Sequence, residues 1–144
     1  MHSLGRILMT LAILGHTVVP PAVDLLTDTH VFNPTWPPHA RFHTVWLISA
    51  TSSVGGLALA LLWGRFGEGR LQLNLAGALP AIVYGSFYLS AMTLGAYGGT
   101  LADQAGVVPG PFGIDANLFV FTIWSIVLAV GWRLASGEQA GSPD

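Results

Sequence analysis

The sequence predicts an all-α chain, an integral membrane four-helix bundle, and three observations carry that prediction. Of 144 residues, 52% are hydrophobic and only 8% charged, too few charges to hydrate the surface of a soluble domain of this size. Four apolar stretches are each about 20 residues long, the length a helix needs to cross a hydrocarbon core of ~30 Å. No Asp, Glu, Lys or Arg lies in the central part of any of them, as the cost of burying a charge in lipid requires.

The first span is expected from Leu4 to Leu26. Arg6 ahead of the apolar run Ile7 to Val19 has the pattern of a signal peptide, but the run leads into Pro20, Pro21 and Asp24 rather than a small-residue cleavage site, so an uncleaved span is expected. Within it Pro20 cannot donate to the carbonyl of His16, nor Pro21 to that of Thr17, which frees two acceptors in the membrane. The result is either a structural kink or the lining of a polar cavity in which His16 would meet a substrate. The second span is expected from Phe42 to Trp63. Its helix should begin at Pro37 and Pro38, whose missing N–H groups are harmless in a first turn, with Thr35 as the cap. Ser52, Gly56 and Ala60 form a small-residue stripe at four-residue spacing, the expected packing seam.

The third span, Leu73 to Tyr97, carries Pro80, Tyr84, Ser86, Tyr88, Ser90 and Thr93. The two tyrosine hydroxyls share a face and should either bond across helices or line a pocket. Gly98 to Asp115, rich in glycine and proline, is expected to be a plain connection, with a lid as the alternative. The fourth span is expected from Asn117 to Leu134. Residues 1–135 then make one transmembrane domain, and the polar segment from Ser136 to Asp144 a disordered cytoplasmic tail.

Arg6, Arg65, Arg70 and Arg133 fall on one side of a four-span chain and only Arg41 on the other, so both termini are expected in the cytoplasm of a multi-pass cell-membrane protein. Asp24, Asp28, Asp103 and Asp115 fall outside. Trp63 and Trp132 mark the inner interface, Trp36 and Trp46 the outer one. A net charge of −2 with no lysine provides no basic footprint for nucleic acid. The absence of cysteine excludes disulfides, thiolate nucleophiles and Cys-ligated metals. The expected partners are the lipid bilayer, a lipophilic small molecule, and a second copy or a membrane partner.

Polar chemistry collects in the first loop and the helix ends beside it, from Asp24 to His43. His39 and His43, at i and i+4 of one helix face, can converge on a point. The pair admits three roles. One is structural, bonding loop carbonyls or acids. The second is acid–base, with Asp24 or Asp28 orienting a ring that titrates near neutral pH. The third is a metal site, in which His30, His39, His43 and Asp28 offer three nitrogens and an oxygen, suited to zinc or non-haem iron. No other cofactor is expected, since the chain has no nucleotide motif and no Gly-x-Ser-x-Gly elbow.

The stretch Thr29-His-Val-Phe-Asn-Pro-Thr-Trp-Pro-Pro-His-Ala-Arg-Phe-His43, with the four-span layout, resembles an uncharacterised family of small bacterial and fungal membrane proteins. The hydropathy alone is distantly similar to that of DoxX-like and sterol-isomerase-related membrane proteins, and no activity is carried over from either. The function expected from the residues is proton transfer by His39 and His43 on a lipophilic molecule. Asp24 and Asp28 would balance the imidazoles, Tyr84 and Tyr88 would donate to a developing oxyanion, and Arg41, Asn33, Trp36 and His16 would hold the substrate. The alternative is a non-enzymatic subunit, binding or transport protein whose outer loop docks a partner.

Overall fold

The computed structural model describes residues 3–64, 69–102 and 110–140. These form α1 (Leu4–Thr17), α2 (Val19–Leu26), α3 (Pro38–Trp63), α4 (Arg70–Met92), the single turn α5 (Leu94–Tyr97), a 3-10 turn (Pro111–Gly113) and α6 (Ala116–Ala140), with no β-strand among the described residues. Four segments are long and apolar enough to cross a membrane: Leu4–Leu26, Pro38–Trp63, Arg70–Met92 and Ala116–Gln139.

The caps and prolines explain where the helices begin and break. The Ser3 hydroxyl accepts from the Arg6 amide at 3.2 Å and starts α1. The first span then breaks at Val18, whose ψ of −41° is helical but whose φ of −112° is not. Pro20 and Pro21 thereby fall in the first turn of α2, where a missing N–H has no intrahelical partner to lose. The Thr17 carbonyl, which Pro21 cannot serve, accepts instead from the Ser52 hydroxyl of α3 at 3.1 Å. At the other end of α3, the Gln72 side-chain amide of α4 donates to the terminal carbonyls of Leu61 (2.5 Å) and Gly64 (2.9 Å). Asp115 caps α6, its carboxylate accepting from the amides of Asn117 at 2.8 Å and Leu118 at 3.2 Å.

Three expected boundaries move. Thr35 does not cap α3, whose cap is Pro37 with Pro38 as first helical residue; Thr35 lies too far upstream and gives its own hydroxyl proton to Asn33 at 2.7 Å. The third span stops at Met92 rather than running unbroken to Tyr97. The Thr93 amide bonds the Ser90 carbonyl three residues back at 3.2 Å, tightening the last turn, and the Thr93 hydroxyl donates to the carbonyls of Leu89 (2.8 Å) and Ser90 (3.3 Å). Helix α6 continues to Ala140, five residues into the expected tail. Residues 141–144 and 103–109, the latter the middle of the supposed lid, lie outside the described residues, as does Arg65.

In the bundle α1 packs between α6 and α3, and α4 closes the ring on its far side against α3 and α6. The core runs through Met9, Ile13, Ala58, Leu62, Leu73, Tyr84, Leu128 and Ala135. Backbone approaches backbone where α1 crosses α6. A Cβ on Gly5 would strike the Ala135 backbone, and one on Gly131 would come within 2.8 Å of the Met9 amide nitrogen. The seam of α3 is not Ser52, Gly56 and Ala60. Gly56 and Ala60 face outwards, whereas Gly55 is buried and a Cβ there would collide with the Thr17 side chain. The seam therefore follows Ile48, Ser52, Gly55, Ala58 and Leu62, the mixed three- and four-residue steps of a helix of 3.6 residues per turn.

Candidate functional site

The first loop is a self-bonded structure built around Asn33. Asn33 is 7% exposed; its side-chain oxygen accepts from the Thr35 amide (3.0 Å) and hydroxyl (2.7 Å), and its side-chain amide donates to the Thr29 carbonyl at 3.3 Å. Short polar side chains that bond the backbone two residues on are what makes Asn a turn residue. Arg41, one turn into α3, reaches back over the turn and donates to the carbonyls of Asn33 (2.7 Å) and Trp36 (3.2 Å). The guanidinium fork thus fastens the loop to the helix that follows it. Asn33 and Arg41, expected to hold substrate, are placed as loop builders.

Asp24, near the end of α2, pairs with His30: the imidazole Nδ1 lies 2.8 Å from the carboxylate and 3.0 Å from the Thr29 hydroxyl. Facing a carboxylate, which can only accept, Nδ1 is the donor of this contact. Trp36 meets this ring edge to face, with centroids 5.1 Å apart. Asp28 is exposed and forms neither an ion pair nor a hydrogen bond among the described residues.

His39 and His43 stand apart from that group. Their Nε2 atoms are 3.0 Å apart and their rings are perpendicular, at 86°. Both are exposed in the first two turns of α3. The Phe42 ring runs parallel to that of His39 with centroids 6.3 Å apart, and Trp46 tilts against His43 at 5.8 Å; Phe42 and Trp46 are each 61% exposed. A bond between two imidazole nitrogens needs one N–H and one lone pair, so the neutral pair holds one proton along the contact. An added proton goes to the free Nδ1 of the donor ring and leaves the N–H···N contact in place, whereas a second proton within the contact itself would turn both nitrogens into donors and make it repulsive. The pair can therefore accept a proton, return one, or present lone pairs to a cation. Phe42 and Trp46 were not among the expected site residues, although their spacing of three from His39 and His43 puts them beside the pair.

The remaining expected site residues are not gathered here. Among the described residues no group of three His, Asp or Glu side chains is placed to hold a metal. The four-ligand set of His30, His39, His43 and Asp28 is not assembled, because His30 is turned to Asp24 and Asp28 stands alone. Asp24 likewise balances His30 and not the pair. The Tyr84 hydroxyl donates to the Ala12 carbonyl of α1 at 2.6 Å, and Tyr88 donates to the Thr122 hydroxyl of α6 at 3.1 Å. These are interhelical ties, not free oxyanion donors. His16 lies in the core, 2% exposed, edge-on to Tyr84 at 5.5 Å, with neither ring nitrogen hydrogen-bonded among the described residues.

The affiliation of the chain follows from comparison with protein families: DUF6640, a family of unknown function, matches residues 9–133. The chain belongs to the DUF6640 family. The DUF6640 match takes in α3 and α4 whole, most of α1 and α6, the first loop and the histidine pair. No curated protein and no solved structure matches the chain.

Proposed function

We propose that this DUF6640 protein is a multi-pass cell-membrane protein that acts on a lipophilic small molecule drawn from the bilayer, moving a proton with His39 and His43 at its extracytoplasmic end. The observation that carries the proposal is the 3.0 Å approach of two exposed imidazole nitrogens at the end of a helix apolar enough to cross a membrane. Leu47, Leu57, Ile82, Leu89 and Ile126 face outwards, a surface suited to lipid. Outward hydroxyls are internally satisfied, Ser49, Ser53, Ser86 and Ser90 each donating to the carbonyl four residues back, as lipid exposure demands. Arg6, Arg70 and Arg133 sit at the opposite end of the bundle from Arg41, which supports cytoplasmic termini.

In this scheme the ring with the free lone pair takes a proton from an activated C–H of the substrate, and the second ring accepts a hydrogen bond from the imidazolium formed. The proton then returns to a different carbon, so that substrate and product are isomers and no co-reactant is consumed. Phe42 and Trp46 supply the apolar flank along which a lipophilic molecule can lie. The test is incubation of the purified protein with total membrane lipid in D2O, followed by mass spectrometry. Wild-type protein should place carbon-bound deuterium in one lipophilic component, and the His39→Gln/His43→Gln variant should not. Equal incorporation by the two proteins would refute the proposal.

The second reading, a non-enzymatic subunit whose loop docks another membrane protein, draws support from Phe32, 63% exposed in the loop. Stoichiometric co-purification of another chain, lost on Phe32→Ser, would favour it.

A further inference from the structure

We infer that His39 and His43 also form an open two-nitrogen site for a divalent transition-metal ion, Cu(II) before any other. The inference concerns the same two side chains as the proposed proton transfer but does not rest on it, since two exposed imidazole nitrogens within reach of one ion suffice.

Geometry selects the ion. Imidazole nitrogens bind first-row ions at about 2.0–2.1 Å. Two nitrogens 3.0 Å apart on bonds of that length subtend about 91–97° at the ion. Adjacent ligands of a square-planar or tetragonal ion subtend about 90°, which is the preference of Cu(II) and Ni(II). A tetrahedral ion such as Zn(II) sets its nitrogens about 3.3–3.4 Å apart on the same bonds, a wider opening than the contact shows. Between the two ions that fit, Cu(II) binds nitrogen sites more tightly.

Access and ligand count define what kind of site this is. Both rings are exposed, so an ion reaches them without opening the bundle, and turning both rings away from their mutual hydrogen bond, by about 40–45° from a linear contact, aims both lone pairs at one point. Binding needs no loss of a proton from the neutral pair. The hydrogen that one Nε2 shares with the other moves through solvent to Nδ1 of its own ring, leaving two Nε2 lone pairs for the ion. The chain contributes no third ligand among the described residues, so the other positions go to water or to an oxygen or nitrogen end group of an added molecule. Neither Nδ1 is hydrogen-bonded to a carboxylate or carbonyl among the described residues, and without such second partners the affinity is modest. Because the ion holds both Nε2 lone pairs while both Nδ1 atoms carry hydrogen, no lone pair remains to take a proton, and the proposed exchange is blocked while the ion is bound.

The test uses the full chain in detergent, purified without a polyhistidine tag and with His2→Ala, so that the amino terminus offers no competing imidazole. Titration with Cu(II) alone should saturate at one ion per chain, and electron paramagnetic resonance of the bound ion should show coupling to two imidazole nitrogens. His39→Ala or His43→Ala should each weaken binding at least about tenfold, and His30→Ala should leave it unchanged. A spectrum with one nitrogen or none in the folded protein would overturn the inference without any variant having to fold. So would unchanged affinity in both alanine variants. Deuterium exchange in the presence of a chelator is read separately: exchange without copper binding overturns this site only, and copper binding without exchange overturns the proton transfer only.

Discussion

Gly55 and Gly56 are adjacent, chemically identical and opposite in consequence. A side chain on Gly55 runs into Thr17 of α1, whereas a Cβ on Gly56 meets nothing within 4 Å. Gly55→Leu should therefore cost about 1–3 kcal/mol by overpacking and lower the melting temperature in detergent, with Gly56→Leu close to wild type. Equal losses would mean that α3 packs on a different face. Asn33 makes a second residue-scale case, since its nearly buried amide serves Thr29 and Thr35 together. Asn33→Ala should cost about 1–3 kcal/mol and speed proteolysis within the loop, while Pro34→Ala, exposed beside it, should do neither. Proteolysis unaltered by Asn33→Ala would contradict its role as the loop's organiser.

At the scale of the helices, the break between α1 and α2 is held by a trade: Pro21 withdraws a donor from the Thr17 carbonyl and Ser52 supplies one at 3.1 Å. Ser52→Ala should destabilise by about 0.6 kcal/mol, the average for interhelical hydrogen bonds in a membrane, and by no more than about 1.7 kcal/mol. Pro21→Ala restores an amide to the helix and should reduce that loss, so the two changes are non-additive in a double-mutant cycle. Additive losses would show that the two groups do not share the carbonyl. The four helices long and apolar enough to cross a membrane were legible in the sequence because hydropathy and length alone set them. Their facing was not. A helix in lipid is apolar all round, so the periodicity that reveals the buried side of a soluble helix is missing. The stripe through Gly56 was as good a sequence pattern as the one through Gly55, and only the neighbour Thr17 distinguishes them. The i, i+4 spacing of His39 and His43 was legible because a regular helix fixes it. The pairing of Asp24 with His30 and the grip of Arg41 on the carbonyls of Asn33 and Trp36 depend on how an irregular loop turns, and the ties of Tyr84 and Tyr88 on contacts between distant helices.

For the whole molecule, the natural absence of cysteine makes single-cysteine labelling a clean test of topology. An impermeant maleimide should modify Thr35→Cys in intact cells and Gly137→Cys only after the membrane is opened. Labelling of both from one side would remove the odd number of crossings that the four spans require between Thr35 and Gly137, three in this bundle. The functional claim is narrower: two exposed imidazoles on one end of that bundle act as a single proton-transfer unit. The measurement that tests it most directly is the rate of deuterium incorporation from D2O into membrane lipid, compared among wild type, His39→Gln, His43→Gln and the double variant with chelator present throughout. Groups that act as a unit lose activity non-additively, so each single variant should be as slow as the double variant, all three remaining folded. A double variant that exchanges at the wild-type rate would contradict the claim.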